Sequence, residues 1–250
     1  MKILMIYIAL IGSLYGISYQ ELAQKSDDAQ AGFEDAKSKM NMMLVNARGQ
    51  KRERLMKIQV LEGKKGDKSL MEFLSPADVK GTKFLNYEHV KKDDDQWLYL
   101  PALKRVKRIA SKNKSGAFMG SEFSYEDLSA FNVDKYSYPK GEVKEGELDG
   151  KKVYLGQSKP VSKYSGYTKL LTWVDAQTYL IQKIEYYDRK KELLKTAIFE
   201  DYKKISGVWR IGKITMSNIQ NDKKTILVWS DEQVKIGLKA KDFHKRVLKK

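Results

Sequence analysis

Alternation of apolar and polar side chains runs through most of this 250-residue chain and limits the folds that it can adopt. Between residues 54 and 60, Met56, Ile58 and Val60 are separated by single polar residues. A two-residue period places one set of side chains on the same face of a β-strand. We therefore expect a mainly β protein whose strands each have one apolar face.

The same pattern recurs along the chain and is interrupted by turn sequences such as Gly63–Gly66, Asp149-Gly150 and Ser206-Gly207. The predicted strands lie near residues 41–48, 52–61, 68–74, 82–88, 95–100, 104–110, 152–157, 167–174, 180–187, 193–202, 208–217 and 223–231. So many sequential strands require either two packed sheets or one strongly curved sheet.

A different period precedes these strands. Apolar residues recur there at three-, four- and seven-residue spacings, which is typical of an amphipathic helix. They are Leu22, Ala29, Phe33, Ala36 and Met40. We predict a helix from Tyr19 to about Met40 that packs against the sheet, with a membrane-surface role as the less favoured alternative. A loop is predicted at 112–121 and a further short helix at 125–130.

The first 18 residues have the layout of a secretory signal peptide. Lys2 precedes an apolar run, Ile3–Ile17, and the small residues Gly16 and Ser18 stand before Tyr19. The run is shorter than the ~20 residues of a membrane-spanning helix. We predict a signal peptide at 1–18 and a single domain at 19–250 that lies outside the cytoplasm, with an uncleaved membrane anchor as the alternative.

The chain is strongly basic, with 48 Lys and Arg against 32 Asp and Glu and a formal net charge of +16. Such a surface favours anionic partners, namely phospholipid headgroups, acidic proteins or nucleic acid. The basic stretch Lys104–Arg108 has aromatic residues nearby, as a nucleic-acid surface would. Export argues against that reading, and edge strands commonly carry cations. No nucleic-acid partner is predicted.

Motifs for catalysis or for a resident cofactor are missing from the sequence. It has no Cys, and its two histidines, His89 and His244, are far apart, which argues against a metal site. The acidic run Asp93–Asp95 lacks the Gly and Glu of a calcium loop. No nucleophile elbow, P-loop or dinucleotide fingerprint is present. We predict no enzyme activity, no cofactor and no metal, and keep a hydrolase with scattered carboxylates as the least favoured hypothesis.

Large apolar side chains at alternating positions are candidates for the wall of a lipid cavity. A packed core is the ordinary role of such residues, but flexible Met and flat aromatic side chains also suit a variable acyl chain. The predicted cavity residues are Met56, Ile58, Val60, Met71, Phe73, Trp97, Tyr99, Phe118, Met119, Trp173, Phe199 and Trp209.

Four stretches resemble a bacterial family related to the outer-membrane lipoprotein-sorting carrier LolA. They are Phe73–Leu85, Asp93–Leu128, Leu170–Asp188 and Leu193–Trp209, and the resemblance extends over essentially all of the chain after residue 18. It implies a mainly β (α+β) fold. The sheet would be a strongly curved antiparallel half-barrel that does not close, with an N-terminal helix and short helices as a lid over its concave face.

The resemblance also implies a function. Proteins of this wider superfamily are periplasmic and hold lipids or lipoprotein acyl chains in the half-barrel, and some act beside transporters of the resistance–nodulation–division (RND) class. We expect a monomeric carrier that contacts the membrane transiently and serves outer membrane biogenesis. Its expected partners are a lipid or lipoprotein acyl chain and an RND-type inner-membrane transporter. The alternative is an envelope scaffold or transporter regulator that binds no lipid.

Overall fold

A short helix leads the chain into the sheet. A computed structural model describes residues 16–249, and in it helix α1 spans Tyr19–Asp28. The Ser18 hydroxyl accepts a hydrogen bond from the Glu21 amide at 3.2 Å, and the Glu21 carboxylate accepts one from the Ser18 amide at 2.8 Å. In the full chain, this capping box marks where the helix begins. Residues 1–15 of the predicted signal peptide lie outside the described residues.

The helix ends at Asp28, so the prediction that it continues to Met40 is wrong. The residues from Asp35 onward form strand β1, which pairs with two other strands. Ala36 and Met40 are four positions apart, a spacing that fits the helical period and the strand period equally well. Ser38 lies buried between them, and its polar side chain hid the alternation.

Sixteen strands follow one another in the described part of the chain. They are β1 Asp35–Val45, β2 Lys51–Leu61, β3 Lys68–Ser75, β4 Lys83–Tyr87, β5 Asp95–Leu100, β6 Arg105–Ile109, β7 Tyr136–Ser137, β8 Lys144–Leu148, β9 Lys151–Pro160, β10 Lys169–Asp175, β11 Ile181–Tyr187, β12 Leu193–Glu200, β13 Lys203–Ile205, β14 Val208–Arg210, β15 Lys213–Asn218 and β16 Lys223–Val234. Short 3-10 helices lie at Pro101–Leu103, Ser111–Asn113, Glu126–Leu128, Val133–Lys135, Ala240–Phe243 and Lys245–Lys249.

Fourteen of the strands form one antiparallel sheet in the order β6-β5-β4-β3-β2-β1-β16-β15-β12-β11-β10-β9-β7, with β8 paired to β9. The sheet is curved and does not close, as the resemblance implied, and two packed sheets are excluded as its architecture. Pairing of β1 with β16 joins the N-terminal strands to the C-terminal half. The strands β13 and β14 form a separate hairpin.

The predicted and observed strands also differ elsewhere, and two of these differences have a clear local cause. The predicted strand 208–217 is divided into β14 and β15 around Gly212, and the Trp229 amide donates to the Gly212 carbonyl at 2.9 Å. Strand β8 was not predicted, because its sequence, KEGEL, has a single large apolar residue. It lies outside the main strand order and pairs with β9 alone, so it needs no apolar face of its own.

The inner face of the sheet carries the main core, and a long connection between β6 and β7 crosses it. Phe118 and Phe123 of this connection are buried in that core. The connection is hydrogen-bonded to three strands: Arg54 Nη1 donates to the Met119 carbonyl at 2.6 Å, the Glu122 amide donates to Thr225 Oγ1 at 3.0 Å, and Lys195 Nζ donates to the Glu122 carbonyl at 2.8 Å. The connection is therefore a fixed cover for this face.

The outer face has its own smaller core. The C-terminal segment places Phe243 and Leu248, both fully buried, against Leu70, Leu85 and Trp97. The Tyr87 hydroxyl also donates to the Phe243 carbonyl at 2.5 Å. Strands β3 to β5 are consequently covered on both faces.

Candidate functional site

A cavity of about 560 Å³ lies between the inner face of β10–β12, the edge strands β5 and β6, and the later part of the connection that crosses this face. This volume is within the range of about 300–1,000 Å³ that is usual for small-molecule sites. The floor of the cavity is apolar and consists of Leu170, Ile181, Ile184 and Phe199. These side chains come from the three neighbouring strands β10, β11 and β12. They lie together because side chains on the same face of a sheet are aligned across adjacent strands.

Four tyrosines line the cavity: Tyr136, Tyr164, Tyr167 and Tyr186. The Tyr167 hydroxyl is engaged, because it donates to Asp127 Oδ1 at 2.7 Å and lies 3.1 Å from Ser124 Oγ. Within residues 16–249, no hydrogen bond occupies the hydroxyls of Tyr136 and Tyr186. Two phenol groups in the cavity wall are thus available to a ligand.

A buried ion pair anchors the cover beside the cavity. Lys195 Nζ lies 2.6 Å from Asp127 Oδ2, and both side chains are about 4% exposed. The ammonium group also lies over the rings of Tyr167 and Tyr186, 5.3 and 5.4 Å from their centroids. Removing one partner of such a pair would leave an unpaired buried charge, so this contact fixes the cover in place.

A second ionic contact holds the roof of the cavity. Lys135 Nζ lies 2.7 Å from Asp94 Oδ1 and 3.1 Å from Glu88 Oε1. The roof helix Val133–Lys135 is thereby joined to the connection between β4 and β5. On the same side of the rim, Lys114 Nζ lies 3.1 Å from Asp93 Oδ1.

Burial changes the acidity of two carboxyl groups near the cavity. It raises the pKa of Glu88 to about 7, and Lys135 opposes this rise. It also raises the pKa of Glu126, which accepts a hydrogen bond from the Gly166 amide at 2.8 Å. Both groups therefore hold their protons at higher pH than an exposed glutamate does.

Most of the residues predicted for a lipid cavity do lie on the inner face, but in its filled part. The inner core contains Met56, Ile58, Val60, Met71, Phe73, Phe118, Met119 and Phe199. Of all the predicted residues, only Phe199 lines the cavity. Phe118 fills the space near Phe73 and Phe84, with ring centroids 6.0 and 5.2 Å apart.

Four predicted residues do not lie on the inner face, and their placement is corrected. Trp97 and Tyr99 pack in the outer core beneath the C-terminal segment, whereas Leu98 faces the inner core. Trp173 lies on the opposite face of β10 from the inner residue Leu170. Lys183 Nζ lies 4.4 Å from the centroid of the Trp173 ring. Trp209 belongs to the β13–β14 hairpin. A strand with large apolar residues on both faces gives no signal of which face is inside.

Sequence reasoning missed the cavity-lining residues of β10 and β11. In 181–187 the inner residues Ile184 and Tyr186 alternate with Lys183 and Glu185, so the strand pattern identified the correct face. It gave no indication that this part of the face is left uncovered. That depends on where the connection crosses the sheet.

Between residues 16 and 249, no group of three or more His, Asp or Glu side chains is arranged to hold a metal ion. None of the helices in that range is long and apolar enough to cross a membrane.

Comparisons with known proteins identify the family. A family model described only as an uncharacterized protein matches residues 65–250, and a search of the curated proteins found no significant match. The chain is similar to a Vibrio parahaemolyticus domain described as an outer membrane lipoprotein-sorting protein, with 46% identity, a TM-score of 0.89, and coverage of 92% of this chain and 98% of that one.

Two other solved structures support the same assignment. A DUF1329 family protein from Desulfovibrio piger is 32% identical, with a TM-score of 0.86 and coverage of 92% of this chain and 97% of that one. A LolA superfamily protein from Nitrosomonas europaea shares the fold, with 20% identity, a TM-score of 0.73 and coverage of 93% and 100%. With sequence identities of 46% and 32% over nearly its whole length, the chain belongs to the LolA-like outer membrane lipoprotein-sorting protein family, as the resemblance predicted.

Proposed function

We propose that this protein is a periplasmic carrier that shields the acyl chain of a lipid or lipoprotein in the cavity above β10–β12. The single observation that carries the proposal is the amphipathic wall: an apolar floor of Leu170, Ile184 and Phe199 beneath a charged rim. An acyl chain leaving a membrane exposes apolar surface at a cost of about 0.8 kcal/mol per methylene group. A dry apolar floor removes that cost during transfer through water.

Family membership supports the proposal. The Vibrio parahaemolyticus relative is described as lipoprotein-sorting, and a carrier of this kind needs a cavity but no catalytic group. The proposal includes the predicted export by a signal peptide at 1–18 and a monomeric state. It also includes transient contact of the basic surface with a membrane, and an RND-type transporter as the partner that loads or unloads the cargo.

The first test is to identify what the protein carries. The protein is purified from the envelope fraction without detergent and extracted with organic solvent, and the extract is analysed by mass spectrometry. We expect a lipid or an acylated peptide in a stoichiometric amount. A clean extract, together with no uptake of added phospholipid or lipopeptide, would contradict the carrier function and favour the scaffold or regulator that binds no lipid.

A cavity-filling variant ties the cargo to this site. Ile181→Trp places a large ring on the floor of the cavity, and we expect it to lose most of the bound lipid while remaining folded. The matched control is Val228→Trp on β16, where the side chain is 42% exposed and lies outside the cavity. Equal lipid content in both variants, measured on the same preparations, would place the cargo elsewhere.

A further inference from the structure

The rim of the cavity is unevenly charged where it meets solvent, and this bears on which lipid it accepts. Its exposed charged residues are Lys91, Lys92, Lys163 and Asp134. Cations therefore outnumber acids at the entrance. Lys92 lies 3.7 Å from Asp95, whereas no ion pair joins Lys91 or Lys163 to a carboxylate within the described residues.

Three acidic residues of the wall are paired with lysines. Asp93 pairs with Lys114 at 3.1 Å, and Asp127 pairs with Lys195 at 2.6 Å. Asp94 pairs with Lys135 at 2.7 Å. These carboxylates are consequently engaged by protein cations, and the two lysines of the entrance remain for a ligand.

Between the entrance and the floor, the available polar groups are hydrogen-bond donors. Tyr136 and Tyr186 line the cavity, and within residues 16–249 their hydroxyls have no hydrogen-bond partner. The oxygens of ester and phosphate groups can only accept hydrogen bonds, so they match these donors. The lining thus combines exposed cations, phenol donors and apolar side chains.

We propose, on the basis of the carrier function above, that the cavity selects acyl lipids with an anionic phosphate headgroup. The phosphate lies at the entrance between Lys91 and Lys163, the ester oxygens accept hydrogen bonds from Tyr136 and Tyr186, and the acyl chain lies on the floor. A lipoprotein anchor has no phosphate at this position and gains nothing from the two lysines.

The test measures lipid selectivity with one shared membrane surface. The full chain is incubated with vesicles containing equal amounts of phosphatidylglycerol and phosphatidylcholine with identical acyl chains, and is re-isolated. The lipid that it holds is then quantified by mass spectrometry. Because both lipids come from the same vesicle, docking of the basic protein on an anionic surface cannot by itself create a preference. We expect enrichment of phosphatidylglycerol.

The double variant K91Q/K163Q reports on the entrance. We expect it to reduce the enrichment by roughly 25-fold, since each of the two lysines near an anionic headgroup favours binding about fivefold, while the uptake of phosphatidylcholine is retained. The control K223Q/K224Q removes the same charge from exposed positions at the start of β16, outside the cavity, and should keep the enrichment. Inorganic phosphate, added as a competitor, should not displace bound lipid, because it lacks the acyl chain.

Four results would overturn the proposal and leave the carrier function standing. They are equal uptake of both lipids, enrichment that survives K91Q/K163Q, enrichment lost equally in K223Q/K224Q, and uptake of an acylated peptide in place of either phospholipid. Failure of the protein to take up any acylated probe would instead contradict the carrier function, and this inference with it.

Discussion

The two halves of the inner face differ in how completely they are filled. Over β2–β4 the face is rich in Met and Phe, and the connection between β6 and β7 inserts Phe118 among Phe73 and Phe84. Over β10–β12 the connection stands off the sheet, and a cavity of about 560 Å³ remains beneath Tyr136. The half whose sequence is the more typical of a lipid site is thus the packed core. The half with tyrosines and charged residues is the one with room for a ligand.

The two halves of the inner face also differ in how the connection that covers them is held. In the filled half it is held by apolar packing, since Phe118, Met56 and Phe73 are almost completely buried. Around the cavity it is held by ions, through Lys195–Asp127 and through Lys135 with Glu88 and Asp94. Apolar packing does not respond to pH, whereas an ionic contact with a buried carboxyl group does.

The largest effect is expected from Phe118→Ala in the filled half. Removing a fully buried Phe commonly lowers the free energy of unfolding by about 3–5 kcal/mol. The matched variant is Phe131→Ala in the roof of the cavity, where the ring is half-buried and stacks on Tyr136 with centroids 5.2 Å apart. We expect a loss of about 1 kcal/mol there. Urea denaturation measures both, and equal losses would contradict the division between a filled and an open half.

The next effect concerns the ionic roof contact and its dependence on pH. The folded-state pKa of Glu88 is raised to about 7 from an ordinary value of 4.5, so the native state holds this proton more tightly than the unfolded state does. The binding of this proton by Glu88 stabilises the folded state. Its contribution is complete below about pH 4.5 and is lost as the pH rises through about 7. We expect Glu88→Gln to flatten the decline in unfolding free energy between pH 5 and pH 8 by on the order of 2–3 kcal/mol.

Thermal and urea unfolding at several pH values check this prediction. The exposed Glu147→Gln on β8 is the control for removing a carboxylate, and it should keep the pH dependence of the wild type. If Glu88→Gln and the wild type have parallel stability curves, Glu88 does not take up a proton in this window.

The smallest effect comes from a pair of tyrosines in the cavity wall. Tyr167→Phe removes a hydroxyl that donates to the buried Asp127 at 2.7 Å. It should lower the unfolding free energy by roughly 1.5–3 kcal/mol. Tyr186→Phe removes a hydroxyl with no protein partner and should change stability by less than about 0.5 kcal/mol, while weakening lipid binding. A stability loss in Tyr186→Phe equal to that in Tyr167→Phe would show that its hydroxyl has a structural role.

The class of the fold and most of its strands could be predicted from the residue pattern alone. Alternation in stretches such as 54–60 was sufficient because one apolar face per strand is a local property of the chain. The family resemblance identified the unclosed half-barrel. The predicted strand limits differ from the observed ones mainly where the spacing of apolar residues fits both a helix and a strand, as at Ala36 and Met40, or where apolar residues are few, as in β8.

The position of the cavity, and the face of certain strands that is inside, depend instead on contacts between distant parts of the chain. Trp97 and Leu98 are adjacent and both apolar, and the outer position of Trp97 depends on Phe243, which is 146 residues further along the chain. Likewise, whether Phe73 or Phe199 meets a ligand depends on where the connection between β6 and β7 crosses the sheet. A strand pattern reports which side chains share a face, but only contacts between distant segments determine which part of that face is covered.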